Sequence, residues 1–180
     1  MRRKILIFIT SILLLNTNIK MGKKMGEFKL ISKSFEANSE IPVKFTCQGK
    51  NISPELHWVN APATTKSFVL IVDDPDAPDP ANPKRTWVHW VVYNIPSFVN
   101  ELPEGVKKLP EGAISGINDW GRGGYGGPCP PIGRHRYFFK LYSLNSILPI
   151  LKNPTKQNVF KAMDGKVIKE AVLVGFYKKK

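Results

Sequence analysis

The stretch Trp87-Val88-His89-Trp90-Val91-Val92-Tyr93-Asn94-Ile95 decides the fold class. Side chains alternate across a strand, so Trp87, His89, Val91 and Tyr93 fall on one face and Val88, Trp90 and Val92 on the other. Both faces are apolar, which predicts a central strand covered on two sides. His89 interrupts its own face between Trp87 and Val91, and on strand phase alone it reads first as a satisfied core residue.

Working upstream, Ser67–Val72 is a second apolar run of strand length, broken by the Asp/Pro cluster 73–83. Phe28–Ser34, Ile41–Thr46 and Glu55–Val59 also read as strands, with a turn at Gln48-Gly49-Lys50-Asn51. Downstream, residues 96–134 form a long Gly- and Pro-rich region, and connections of that length are more often functional than idle. Arg136–Leu144 and Ala171–Tyr177 read as the last strands. One helix stands between them: Asn153 is placed to cap it, Pro154 suits its first turn, Gly165 closes it, and Val159, Phe160 and Met163 form its apolar stripe. The pattern is a mainly β, sandwich-like single domain over residues 25–180, with one or two small helices.

Composition agrees with a globular chain: 180 residues, 42% hydrophobic and 23% charged, with 15 prolines and 14 glycines to make turns. The net charge is +13, but it is concentrated at the ends. Arg2, Arg3, Lys4, Lys20, Lys23 and Lys24 stand in an acid-free stretch, and Lys178, Lys179 and Lys180 form a tail. Removing those nine charges from +13 leaves +4 over residues 25–177, so the domain reads as no nucleic-acid binder.

Residues 1–24 read as a signal segment, with a basic start followed by the apolar run Ile5–Leu15, too short to span a bilayer. That predicts export to the periplasm or cell envelope. The competing reading is a start at Met21 or Met25 and a cytoplasmic protein. The state of Cys47 and Cys129 follows from this choice: a disulfide if exported and their loops adjacent, two buried thiols if cytoplasmic.

Three segments place polar groups where strands end. Asp74-Pro75-Asp76-Ala77-Pro78 fixes two carboxylates on a proline-stiffened turn. His89 lies inside its strand, and in Gly133-Arg134-His135-Arg136-Tyr137 the histidine and tyrosine point the same way. Buried polar groups need partners, and a ligand is one. A metal lacks any HxH or HxxxH spacing, and zinc lacks a CxxC. Hydrolysis lacks a GxSxG elbow, and Cys129 sits between prolines with no helix N-terminus to activate it. A phosphate-type anion fits best: glycines 123, 124, 126 and 127 let backbone N–H groups approach, while imidazoles and a hydroxyl donate. The carboxylates would then hold the histidines, or accept from the amine of a zwitterionic headgroup such as phosphoethanolamine.

DPDAP (74–78), W-x-H (87–89), YGGPCPP (125–131) and G-x-H-R-Y (133–137), in this order, resemble the phosphatidylethanolamine-binding protein family, also called Raf kinase inhibitor-like, in its bacterial and archaeal branch. The resemblance covers about residues 28–177. It implies a large antiparallel sheet packed on a smaller one, and an anion pocket at one end. By motif position that pocket comprises Asp74, Asp76, Pro78, Trp87, His89, Gly127, Pro128, His135 and Tyr137. The implied function is non-enzymatic binding of a phosphoryl or phosphoethanolamine-like ligand or a phospholipid headgroup, without cofactor, metal or catalytic residue. Inhibition of a kinase or protease through the pocket rim is the alternative, a hydrolase the remoter one, and a homodimer is left open.

Overall fold

The computed structural model describes residues 26–180. The signal reading of residues 1–24 and the starts at Met21 and Met25 lie outside the described residues. In chain order the elements are β1 (Lys29–Ile31), β2 (Ser39–Glu40), β3 (Leu56–Val59), β4 (Ser67–Ala77) and β5 (Arg85–Pro96). There follow β6 (Glu101–Leu102), β7 (Ile114–Ser115), β8 (Arg134–Leu144), α1 (Lys156–Met163) and β9 (Val167–Lys178). A six-stranded sheet in the order β2-β9-β8-β4-β5-β7 packs on a three-stranded sheet, β1-β3-β6. The large sheet is antiparallel except at one edge, where β2 runs parallel to β9.

The large sheet is buried on both faces, which is why β4 and β5 read as continuous apolar runs. Phe68, Leu70, Val72, Trp90, Val92, Phe139 and Leu141 meet Leu30, Leu56 and Trp58 of the small sheet. On the other face Val69, Ile71, Val91, Tyr93 and Tyr142 are covered by Leu148 and by Val159 and Met163 of α1. At about 1.5–3 kcal/mol for each fully buried aliphatic or aromatic side chain, these two cores dominate the stability.

Four local readings are corrected. Ile41–Thr46 is not a strand: Val43–Phe45 is a turn of 3-10 helix in which the Phe45 N–H donates to Pro42 O and the Thr46 hydroxyl to Val43 O. Its buried hydrophobic residues, Ile41 and Phe45, are spaced by four rather than two. The strand starting at Ser67 does not stop at Val72 but runs to Ala77, because neighbouring elements supply a hydrogen-bonding partner for each carboxylate. Lys140 and Lys156 reach the buried Asp73, His135 reaches Asp74, and Arg136 reaches Asp76. The helix begins two residues late, capped by Thr155, whose hydroxyl accepts from the Asn158 N–H, while Asn153 contributes only its carbonyl.

The fourth correction bears on the site. Val72 pairs with Trp90 but Asp73 with Val88, so β5 carries an extra residue at His89, a β-bulge. Alternation slips there. Val88 joins Val91 and Tyr93 in the outer core, and Trp90 joins Val92 between the sheets. His89 packs edge-on against Tyr137, also between the sheets, rather than sharing a face with Val91 and Tyr93.

Candidate functional site

One end of the large sheet opens into a cavity of about 330 Å³, within the range of small-molecule sites. The end of β4 contributes Asp74, Ala77 and Pro78, the start of β5 contributes Trp87 and His89, and the start of β8 contributes His135. The loop between β7 and β8 closes it with Trp120, Cys129, Pro130 and Pro131. Thus five residues expected from the sequence, drawn from three neighbouring strands, line one cavity: Asp74, Pro78, Trp87, His89 and His135.

Asp76, Gly127, Pro128 and Tyr137 are not among the lining residues. Asp76 turns to Arg136, accepting from its backbone N–H at 2.9 Å and from its guanidinium at 2.9 and 2.6 Å. The Arg136 side chain holds the Asp76 carboxyl below the usual carboxylate range, outweighing the opposing effect of burial. Gly127 donates its N–H to Asn51, Pro128 accepts from the Cys47 N–H, and a Cβ on Gly127 would strike the Phe45 carbonyl. Tyr137 stands behind the wall, its ring stacked on His135 and edge-on to His89. Its buried hydroxyl has no partner among the described residues, and burial pushes its pKa far up, so it stays protonated.

Three of the four glycines expected to offer backbone donors to a ligand spend them within the fold. The N–H groups of Gly124, Gly126 and Gly127 go to Ser115 Oγ, His89 O and Asn51 Oδ1. Gly126 is needed instead because any Cβ there would run into the Trp120 ring. Trp120, with Ala77, Pro130 and Pro131, lines the wall without having been expected from the sequence. It makes T-shaped contacts with Trp87 and His89 at 5.3 and 5.2 Å between centroids, and it remains 43% exposed. A tryptophan inside a Gly-rich loop, with no apolar periodicity around it, was the available signal.

The two histidines differ in what they have left to give. His135 is fully buried, with Nδ1 2.7 Å from Asp74 Oδ2 and Nε2 2.9 Å from the Ile132 carbonyl. Both ring nitrogens are therefore occupied within the fold. The other oxygen of Asp74 accepts from the Asp76 N–H at 2.8 Å. Of the two roles expected for the carboxylates, Asp74 therefore has that of holding a histidine. His89 donates from Nδ1 to Gly126 O at 2.7 Å. Burial lowers its pKa, against the pull of the Gly126 carbonyl and nearby carboxylates. The ring is neutral at pH 7, and Nε2 carries a lone pair with no partner among the described residues.

Cys129 lines the cavity as half of a disulfide to Cys47, with Cα atoms 5.4 Å apart, so the disulfide holds of the two states left open by the sequence. Among the described residues no group of three or more His, Cys, Asp or Glu is arranged to hold a metal ion, and no helix is long and apolar enough to cross a membrane.

Residues 31–178 match the phosphatidylethanolamine-binding protein family. The UPF0098 protein of Aquifex aeolicus is 48% identical over 168 residues, covering 90% of this chain and 95% of its own. That of Methanothermobacter thermautotrophicus is 46% identical over 149 residues, covering 81% and 95%. Among solved structures, a phosphatidylethanolamine-binding protein homologue from Chlamydia trachomatis superposes with a TM-score of 0.79 at 41% identity, over 85% of this chain and 98% of that one. Escherichia coli YbcL, described as a member of the mammalian PEBP family, gives 0.78 at 34% identity, over 86% and 100%. Sequence and fold therefore agree: the chain belongs to the phosphatidylethanolamine-binding protein family.

Proposed function

We propose that the cavity binds a small ligand through a phosphoryl group, without turning it over. One observation carries this reading: of the polar groups that line the cavity, His89 Nε2 alone is titratable and unspent. Catalysis by acid–base or nucleophilic routes needs a second group in play, and here Asp74 and His135 satisfy each other and the Cys129 sulfur is bonded to Cys47. A neutral imidazole with a free lone pair accepts a hydrogen bond. A phosphate monoester, whose second pKa is about 6, supplies one by sharing its last proton with Nε2. The names of the family and of its solved relatives support a headgroup-like ligand.

Titration with phosphoethanolamine and with inorganic phosphate, followed by the imidazole NMR signals, tests the reading. The His89 signals should move while those of His135, locked between Asp74 and Ile132, move much less. No movement of His89 at millimolar ligand, or release of inorganic phosphate from phosphoethanolamine, would overturn it.

A second reading has its own support. Arg122 stands over Trp120 on the cavity wall and has no carboxylate partner among the described residues, whereas Arg85, Arg134 and Arg136 are paired with Asp119, Glu40 and Asp76. An exposed guanidinium beside a phosphoryl pocket suits a phosphorylated side chain on a partner protein, such as a kinase or protease that this chain inhibits. A phosphoserine peptide that binds no better than phosphoserine itself would rule this reading out.

A further inference from the structure

The Cys47–Cys129 disulfide is in an unusual position for a purely structural bond. Both cysteines are exposed, and Cys129 is part of the cavity lining while Cys47 is not. Exposed disulfides are the ones open to thiol attack, because the attacking thiolate must reach a sulfur in line with the bond. The bond also is not what alone holds the wall in place. Tyr125 donates to Phe45 O at 3.0 Å, Gly127 N–H to Asn51 at 2.7 Å, and Cys47 N–H to Pro128 O at 3.1 Å. Those three ties would keep the 125–131 wall against the 45–51 turn after the sulfurs part.

We propose that this disulfide is a thiol–disulfide exchange site for a small-molecule thiol, entered through the ligand cavity and attacked at Cys129. A thiolate RS⁻ in the cavity forms a bond to Cys129 Sγ, the Sγ–Sγ bond breaks, and Cys47 leaves as the thiolate. A second RS⁻ then attacks the mixed disulfide, forming RSSR and freeing the Cys129 thiolate. Two thiols are oxidised, the protein disulfide is reduced by two electrons, and the two cysteine thiolates take up the protons. The same cavity thus serves a phosphoryl ligand and a thiol, and the two exclude each other. Only this last clause rests on the function proposed above. By linkage, whatever factor the ligand imposes on exchange, the redox state imposes on the ligand.

The test uses the full oxidised chain under native conditions with reduced glutathione, quenched by an alkylating reagent and mapped by peptide mass spectrometry. The expected result is a glutathione adduct on Cys129, with a folded product by circular dichroism. Saturating phosphoethanolamine should slow adduct formation about tenfold, within the range typical of coupled sites. Two variants keep the test independent of stability: with oxidised glutathione, Cys47→Ser should form an adduct on Cys129 that phosphoethanolamine suppresses. Cys129→Ser should form one on Cys47 that it does not. Reduction only on unfolding, an adduct confined to Cys47, or equal protection of both variants would overturn the proposal. If phosphoethanolamine moves neither histidine signal, the phosphoryl reading fails by itself, and the site of the adduct, Cys129 or Cys47, still decides this one.

Discussion

His89 and His135 are both buried, both within strands and both in contact with Tyr137, yet their hydrogen bonds give them opposite capacities. His135 was legible in the sequence as the partner of Tyr137, because a spacing of two on a strand is unambiguous. His89 was not, because a bulge breaks the phase and no residue pattern marks a bulge. The free lone pair on His89 gives a signed prediction. Binding a phosphate ester needs one proton between Nε2 and the ligand oxygen, and near pH 8 neither group carries it. Affinity for phosphoethanolamine should therefore rise as pH falls from 8 to 6, by at most about tenfold per pH unit. Calorimetry in two buffers of different ionisation enthalpy measures the proton uptake, and His89→Gln should abolish it. Asp76 and Arg136 give a second prediction, about stability. The folded carboxyl is held low, so its contribution is present above the unfolded pKa of about 4 and is lost as pH falls through the folded value. Arg136→Met should cost about 1 kcal/mol at pH 7, a small figure because the guanidinium is half exposed. The cost should shrink toward zero at acid pH in denaturant titrations.

Among the elements, the strands with two buried faces were the easiest to read, and the loop between β7 and β8 the hardest. Its glycines suggest backbone donors aimed at a ligand. The structure uses them for close approach, to a movable ring at Gly126 and to a fixed backbone carbonyl at Gly127. These two cases should separate on substitution. Gly127→Ala meets backbone that cannot yield and should destabilise by about 2 kcal/mol or more in thermal unfolding. Gly126→Ala can push Trp120 aside, so it should cost less stability and weaken phosphoethanolamine binding more. The start of α1 was misread by two residues because Asn153 and Thr155 are both good caps. What decides is that Thr155 Oγ1 reaches the Asn158 N–H. Thr155→Ala should lose about 1 kcal/mol by the same measurement, and leave binding unchanged.

For the molecule as a whole, the class of fold follows from apolar runs and motif order. Sheet order does not: nothing in Ser39–Glu40 foretells a parallel partner 136 residues later in β9 (Gly175 for Ser39, Phe176 for Glu40). The disulfide links residues 82 apart in sequence, and a loop of that length restricts the unfolded chain substantially. On the chain-entropy account, replacing both cysteines by serine should cost about 4 kcal/mol and lower Tm by on the order of 10 °C. Scanning calorimetry of the double variant checks this, and a change of a degree or two would mean that the folded wall relaxes to recover the loss.

The outer edge of β5 has consequences for solubility. Only two of its residues pair with β7, and along the rest the carbonyls of Val88, His89 and Val91 accept from the N–H groups of Asp119, Gly126 and Gly116. The cavity loop thus occupies the hydrogen-bonding row that a strand from another molecule would otherwise use. A substitution that loosens this loop exposes an apolar template for intermolecular pairing as well as opening the cavity. Variation that retunes the ligand is therefore confined to changes that leave those three donors in place, and a loop variant selected for new specificity should be screened for aggregation first.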